Sequence, residues 1–332
     1  MKKVAILSNP NCGKGLGPRA IQQARRALWG WPLEILTPSS LLELQQTLSS
    51  LSSKEYEALI VVGGDGTFNQ ALKAMRATSE RHIPLYPFPA GTANDLATEL
   101  KLRPDWDQVQ TLLDEQQIER IDCITVNDAP FSTIAGIGAG SQLTSEFNSR
   151  RSSSPFFKLL NQHLHNHIYS ILSAKTLLFG NDYFHRLHIR GEGFDEKLKT
   201  PVVFICNQPR LGAKLTVAPD AKNNDGRFHV MIVPRIRKHR LITGLIALQR
   251  GYVPQDFLLF STDRLVIRDL DGRDIPVFGD GETLVSAPEL RFATHALSLP
   301  VYSGRLMRQH ISKGLTEKSS KIRVEIPEEA LV

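Results

Sequence analysis

The 332-residue sequence predicts an N-terminal α/β domain followed by an all-β, sandwich-like domain. From Lys3 to about Val126, short apolar runs alternate with longer amphipathic ones, which is the pattern of a parallel sheet covered by helices. After Val126, strand-like runs follow one another with mostly turn residues between them. A hydrophobic share of 41% in a chain of this length is enough for two separate cores. The sequence therefore predicts two domains with a boundary near residue 126.

The first half alternates predicted strands with predicted helices. The strands are Val4–Leu7, Leu33–Leu36, Ala58–Val62 and Pro84–Phe88, and the helices are Pro18–Trp29, Leu41–Leu51 and Thr67–Ala77. Ser40 and Glu43 have the spacing of a capping box and mark the start of the second helix. Residues 1–126 are therefore predicted to form one α/β domain.

The second half consists mainly of short runs typical of strands. They read RLHIRG, PVVFICN, KLTVAP, RFHVMIVP, DRLVIRD and IPVFGD. This spacing favours an antiparallel sandwich over residues 127–305. Whether the last strand or helix returns to the first domain is left open. The amphipathic segment 156–179 covers either a lipid cavity or the sandwich core. The charged segment 312–332 is predicted to be a mobile tail.

The composition limits the classes of function. Forty Lys and Arg against 34 Asp and Glu give a net charge of +6, which suits an anionic ligand or membrane surface but also a solvated basic face. Cys12, Cys123 and Cys206 contain no CxxC pair, so neither a disulfide framework nor a cysteine metal site is predicted. With no signal peptide and no apolar run of about 20 residues, we expect a cytoplasmic protein with only peripheral membrane contact. No pattern predicts a nucleic-acid partner.

The stretch ALIVVGGDGTFNQALKAM places glycines between a strand and a helix. Gly63, Gly64 and Gly66 would let a phosphate approach the backbone N–H groups of the first helical turn. A carboxylate at Asp65 would repel that phosphate unless a Mg²⁺ ion lay between them. The alternative is simple turn chemistry, in which Gly and Asp only shape the strand-to-helix connection.

Two further loops follow predicted strands of the same sheet. SNPNCGKG supplies Asn9, Gly13, Lys14 and Gly15, and FPAGTANDLA supplies Gly91, Thr92, Asn94 and Asp95. Because parallel strands place their carboxyl ends on one edge, we expect the three loops to converge there. Their convergence favours a phosphate site over turn chemistry.

These motifs resemble the diacylglycerol kinase catalytic-domain family, which includes sphingosine kinases and bacterial YegS-like lipid kinases. The similarity rests on NPNCGKG, VVGGDGTFNQAL, PAGTANDLA, RIDCITVNDAPF, VAPDAKNNDGRF and VFGDGETL, in that order, over roughly residues 3–305. The resemblance implies an α/β domain of the phosphofructokinase and NAD kinase type, followed by a β-sandwich. It also implies ATP and Mg²⁺ as cofactors and a lipid hydroxyl as the acceptor.

The resemblance assigns roles to individual residues. The nucleotide would contact Asn9, Gly13, Lys14, Gly15, Gly63, Gly64, Gly66, Thr67, Asn69, Gly91, Thr92 and Asn94. The Mg²⁺ would be held, through water, by Asp65, Asp95 and Asp122. Glu282 would be the catalytic base, with Asp65 and Asp280 as alternatives. Asp225 matches a residue that binds a structural Mg²⁺ in some relatives.

Several alternatives stay open from the sequence. Taken alone, Asp280 and Glu282 also fit an exposed hairpin turn. A GGDG loop is shared by soluble small-molecule kinases of the NAD kinase or phosphofructokinase type, and an inactive nucleotide- or lipid-binding module would retain it as well. The identity of the lipid acceptor is not predicted, and a homodimer stays open as a further partner.

Overall fold

The structure is a computed structural model that describes residues 2–8, 16–76, 83–91, 93–138, 184–212, 215–235 and 238–305. The predicted segment 156–179 and the predicted tail 312–332 lie outside the described residues. The described residues form two compact units. The first comprises residues up to Cys123, Pro130–Ser132 and those from His295 on, and the second comprises Ile124–Ala129 and the described part of Thr133–Thr294.

The first unit alternates strands and helices. In chain order these are β1 (Lys3–Ser8), α1 (Leu16–Ala27), β2 (Leu33–Leu36), α2 (Leu41–Ser49), β3 (Tyr56–Gly63), α3 (Asp65–Arg76), β4 (Leu85–Pro89), α4 (Asp95–Glu99) and α5 (Trp106–Asp114). Strands β5 (Ile118–Val126) and β6 (Ala129–Phe131) follow, and of these the first unit contains β5 up to Cys123 and β6 from Pro130 on. Strands β2, β1, β3 and β4 are neighbours in that order, and every pair is parallel. The predicted α/β fold of the N-terminal domain is confirmed.

The centre of this sheet forms because its strands are apolar on both faces. In β1 the four residues from Val4 to Leu7 are at most 2% exposed, and in β3 the five from Ala58 to Val62 are at most 1% exposed. Such continuous burial is typical of a parallel strand covered by helices on both sides. Helix α3 supplies part of that cover and buries residues at helical spacing, namely Phe68, Ala71, Leu72 and Met75.

Half of the predicted capping box is present at the start of α2. The Ser40 hydroxyl accepts a hydrogen bond of 3.1 Å from the Glu43 backbone N–H, as an N-cap does. The Glu43 carboxylate instead accepts bonds from the backbone N–H and the hydroxyl of Ser39, at 2.7 and 2.6 Å. These bonds to Ser39 hold the pKa of the Glu43 carboxyl below its ordinary value.

The second unit is built almost entirely of strands. Its elements are β7 (Ile134–Gly138), β8 (His185–Gly191), β9 (Phe194–Thr200), β10 (Val202–Cys206), β11 (Arg210–Leu211), β12 (Leu215–Thr216), β13 (Phe228–Val233), α6 (Lys238–Gln249), β14 (Leu258–Thr262), β15 (Arg264–Asp269), β16 (Ile275–Gly279), β17 (Glu282–Ala287) and the first residues of β18 (Glu289–Tyr302). The later residues of β18 belong to the first unit, where Val301 pairs in parallel with Leu85 of β4.

Two antiparallel sheets organise this unit. One has the order β14-β13-β10-β7-β16-β17, and in the other β15 lies between β18 and β8, with β9 beyond β8. The rings of Phe194 in β9 and Phe260 in β14 stack with centroids 4.4 Å apart, so side chains of the two sheets pack on each other. The predicted sandwich-like class of the second domain is confirmed.

Candidate active site

The glycine-rich turn after β3 is very short. β3 ends at Gly63, Gly64 follows, and α3 begins at Asp65, with the Phe68 N–H donating to the Gly64 carbonyl at 3.0 Å. Gly66 and Thr67 therefore lie in the first turn of the helix. Asp65 is partly exposed there, where the helix dipole favours a negative group. The first turn of a helix presents backbone N–H groups that can bind an anion.

The loop after β4 is shaped by Asn94. Its side-chain oxygen accepts from the Gly91 N–H at 2.9 Å, and its amide nitrogen donates to the Gly91 carbonyl at 3.1 Å. Asn94 itself has a left-handed backbone, with φ 53° and ψ 46°, which asparagine tolerates better than most residues. Its side chain therefore holds the Gly91 backbone in place, while Thr92 lies outside the described residues.

The two loops touch each other through their glycines. A Cβ atom added to Gly91 would lie 2.4 Å from the Cα atom of Gly64, and one added to Gly64 would lie 3.2 Å from the Cα atom of Gly91. The Ala90 N–H also donates to the Gly63 carbonyl at 2.9 Å. Both positions thus need glycine for the close approach of two backbones, whatever binds there.

Two predicted carboxylates flank this contact. Asp65 opens α3, and Asp95, which is 7% exposed, opens α4. An Asp65 carboxylate oxygen lies 3.4 Å from the Leu96 backbone nitrogen, which donates to it. The structure therefore brings Asp65 and the first turn of α4 together. A cavity of about 10 Å³, lined by residues that include Gly64 and Asn94, is about the size of one water.

Asp122 has a different environment from Asp65 and Asp95. It is fully buried on β5, and its carboxylate accepts a 2.7 Å bond from the backbone N–H of Leu297 in β18. Leu297 has a positive φ of 46°, and Arg120 donates to its carbonyl at 3.1 Å. Asp122 thus fixes a bend in β18. Among the described residues, no three Asp, Glu, His or Cys side chains are grouped to hold a metal ion directly.

Asn69 faces the interior of the first unit. Its side chain is fully buried, and its amide nitrogen donates to the Pro130 carbonyl at 2.9 Å. This bond links α3 to the β5–β6 region.

The first glycine loop, which contains Asn9, Gly13, Lys14 and Gly15, lies outside the described residues, so its predicted convergence with the other two loops stays a prediction.

In the second unit, Asp280 and Gly281 form a tight hairpin turn. The turn joins β16 and β17, and φ is 48° at Asp280 and 86° at Gly281, which is the pattern of a type I′ turn. Asp280 is 4% exposed, and its carboxylate accepts bonds from the Thr133 backbone N–H, at 3.0 Å, and from the Thr133 hydroxyl. Glu282, the next carboxylate, is partly exposed at the start of β17. The hairpin interpretation is thus correct for the turn, but Asp280 is buried.

Thr133 was not recognised from the sequence. It lies 147 residues before Asp280 along the chain, so no local pattern connects the two.

Asp225 is exposed and accepts from the Arg227 backbone N–H at 3.1 Å, a turn contact that involves no metal. The structural Mg²⁺ predicted at Asp225 stays a prediction.

Comparison with known families agrees with this architecture. Residues 3–126 match the diacylglycerol kinase catalytic domain, and residues 162–301 match the YegS C-terminal NAD kinase beta sandwich-like domain. The two matches lie in the expected order along most of the chain. The chain belongs to the diacylglycerol kinase catalytic-domain family.

Two similar proteins are both named "Probable lipid kinase YegS-like". The one from Cronobacter sakazakii (strain ATCC BAA-894) is 28% identical over 61% of this chain and 65% of its own length. The one from Yersinia enterocolitica serotype O:8 / biotype 1B is 27% identical over 67% of this chain and 72% of its own length. The chain thus spans about two thirds of the length of these relatives.

Solved structures from Bacillus anthracis str. Sterne have a similar fold. One matches with a TM-score of 0.75 and 18% identity over 92% of this chain and 98% of that chain. Another, a diacylglycerol kinase, matches with a TM-score of 0.69 and 15% identity over the same shares. At this identity the similarity concerns the fold alone.

Proposed function

We propose that the protein is an ATP-dependent lipid kinase that transfers the γ-phosphoryl group to a lipid hydroxyl. The observation that supports this most is the contact between Gly64 and Gly91, which brings two helix-opening loops together beside Asp65. Such loops at the carboxyl ends of adjacent parallel strands are the usual place for a phosphate in an α/β domain. The names of the relatives support the lipid acceptor.

In this proposal the backbone of the two glycine loops binds the phosphates of ATP. The N–H groups in the first turn of α3 donate to phosphate oxygens, and the close contact between Gly64 and Gly91 holds the two loops together beside them. The twelve-residue helix α3 adds a favourable dipole. Asp65 and Asp95 are then the side chains available to hold a metal ion near these phosphates.

The donor chemistry of Asp65 and Asp95 fits Mg²⁺. This ion prefers carboxylate oxygens, retains several waters and binds through one or two carboxylates together with substrate phosphates. A third direct protein ligand is not required, and the described residues supply no group of three. Once bound, the ion would offset the negative charge on the transferring phosphoryl group. Asp122 would take part only through water, since one of its oxygens accepts from Leu297.

We assign the catalytic base to Glu282, with Asp280 and Asp65 as alternatives. A base must accept the proton of the lipid hydroxyl as its oxygen attacks the γ-phosphorus and ADP leaves. Asp280 is a poorer candidate because it is buried and receives two bonds from Thr133. Glu282 is partly exposed in the next strand. These contacts favour Glu282.

The test is a phosphorylation assay with labelled ATP, Mg²⁺ and a panel of lipids in mixed micelles, run beside direct measurement of ATP binding. The panel contains diacylglycerol, monoacylglycerol, phosphatidylglycerol, a sphingoid base and an isoprenoid alcohol. Asp65→Asn should abolish transfer while the fold is retained, because it removes charge but little volume. ATP binding by the wild type without transfer to any of these lipids would refute the lipid kinase and favour a binding module or a soluble kinase.

Glu282→Gln separates the base from a structural role. The substitution retains size and polarity but removes the proton acceptor, so kcat should fall by roughly 10²–10⁴ while the Kd for ATP changes little. The matched control is Glu289→Gln, which removes a carboxylate bonded to Arg268 in β15 and Arg291 in β18. Unchanged turnover in Glu282→Gln would move the base to Asp65 or Asp280.

We also propose that the protein associates with membranes peripherally. The observation that supports this proposal is the net charge of +6, which favours anionic lipid. In the part of the chain that the structure describes, none of the helices could span a bilayer. Co-sedimentation with vesicles should increase with the share of anionic lipid and decrease as salt rises. Binding that depends on neither variable would contradict an electrostatic association.

A further inference from the structure

The first unit has a second cavity at the far end of α3 from Asp65. Its volume is about 160 Å³, and its apolar wall includes Leu72 of α3, Leu85 of β4 and Leu299 of β18. Asp65 and the last residue of α3 are separated by eleven residue steps, or about 16 Å along the axis. This cavity is therefore distinct from the phosphate loops.

On its polar side, the cavity is lined by the guanidinium of Arg76, whose hydrogen-bond acceptor is a thiol. Arg76 donates to the thiol sulfur of Cys123 at 3.3 Å, and this thiol in turn donates to the Phe131 carbonyl at 3.8 Å. Sulfur is a poor acceptor for a guanidinium, which has five N–H donors in a rigid fork. His295 and Ser298 also line the cavity, and its described lining contains no carboxylate.

A basic residue at position 76 stabilises the C-terminus of α3. This role does not explain why Arg76 lines a cavity. A cation in the last turn offsets the negative end of the dipole, and Lys73 contributes there too. That effect does not require the side chain to line a cavity beside a thiol. An anion placed in the cavity would meet some repulsion from the same dipole, but a bidentate bond to a guanidinium is the stronger interaction.

We infer that this cavity binds a small monoanion with a short apolar body, such as an aromatic or short-chain carboxylate. A cavity of about 150 Å³ lined by apolar side chains accommodates benzene, so about 160 Å³ suits a body of similar size. The carboxylate of the ligand would accept hydrogen bonds from the guanidinium of Arg76, and its apolar body would pack on Leu72, Leu85 and Leu299.

Calorimetry with three probes tests this inference without nucleotide, so that it is independent of the proposed kinase activity. Benzoate carries both features of the ligand, benzamide retains the ring without the charge, and inorganic phosphate retains the charge without the ring. Benzoate should bind with a Kd on the order of 1–10 mM, as expected for a ligand of so few atoms. Benzamide and phosphate should each bind at least about tenfold more weakly.

Two variants of α3 provide the matched comparison. Arg76→Met should weaken benzoate binding by roughly tenfold or more, because it removes the fork but retains a long side chain. Lys73→Met removes the same charge from the same helix end without altering the cavity lining, and it should leave the affinity unchanged. If Arg76→Met does not fold, Arg76→Lys should still weaken binding severalfold, since an ammonium cannot form the bidentate bond.

Methyl NMR locates the binding site. Met75 lines this cavity, whereas Met231 is buried in the core of the second unit. Benzoate should shift the Met75 methyl signal and leave that of Met231 in place. The inference is overturned if benzoate produces neither heat nor a Met75 shift in the wild type, or if Arg76→Met binds it as tightly as the wild type does.

Discussion

Replacing Gly91 with alanine tests whether the contact between the two loops is as close as described. The new Cβ would lie 2.4 Å from the Gly64 Cα, 3.0 Å from the Gly64 nitrogen and 2.9 Å from the Asn94 side-chain oxygen. Ordinary contacts between such atoms begin near 3.4 Å, so the backbones would have to separate by about 1 Å. Overpacking of this kind costs about 1–3 kcal/mol.

The predicted loss of stability on substitution by alanine differs among three glycines. Gly64→Ala meets its nearest atom at 3.2 Å and should cost less than Gly91→Ala, while Gly30→Ala meets nothing within 4 Å and should be nearly neutral. Urea denaturation measures the free energy of unfolding, and fluorescence titration measures ATP affinity in the same variants. Gly91→Ala should also weaken ATP binding, because the loops move apart. A Gly91→Ala protein as stable as Gly30→Ala would refute the described contact.

Two other predictions concern buried polar groups of the second unit. Thr133→Val should lower the free energy of unfolding by about 1–3 kcal/mol in urea denaturation, because the buried carboxylate of Asp280 loses the bond from the Thr133 hydroxyl; a change below about 0.5 kcal/mol would contradict that role. Burial holds the pKa of His229 below its ordinary value. The unfolded chain therefore takes up a proton near pH 6.5 that the folded chain does not, so stability should fall as pH decreases below that value. His229→Gln should flatten this dependence, and an unchanged pH profile would contradict it.

The first unit was largely predictable because its strands are buried on both faces. Continuous apolar runs at Val4–Leu7 and at residues 58–62 identify the strands without any knowledge of their neighbours. The start of α3 was placed two residues late, at Thr67, since Gly66 is an unfavourable residue in a helix. The structure begins this helix at Asp65 because Gly64 provides the carbonyl for its first hydrogen bond.

Other elements were missed although a local signal existed. Helix α5 begins after Asp105, whose side chain accepts from the Asp107 N–H at 3.1 Å, as an N-cap should. The bend of β18 at Leu297 had no such signal. It depends on Asp122, 175 residues earlier along the chain, and pattern analysis does not relate such distant positions.

The motif Gly279-Asp280-Gly281-Glu282 shows why a site cannot be assigned from motif spacing alone. Its two carboxylates are two residues apart, yet one has a left-handed backbone and bonds to Thr133, whereas the other begins a strand and is partly exposed. Aspartate at the first position is already explained by the tight turn and its buried bonds. The turn and the bonds to Thr133 do not account for glutamate at the second position. Of the two, Glu282 is therefore the carboxylate whose proposed role as the base is tested by the turnover of Glu282→Gln.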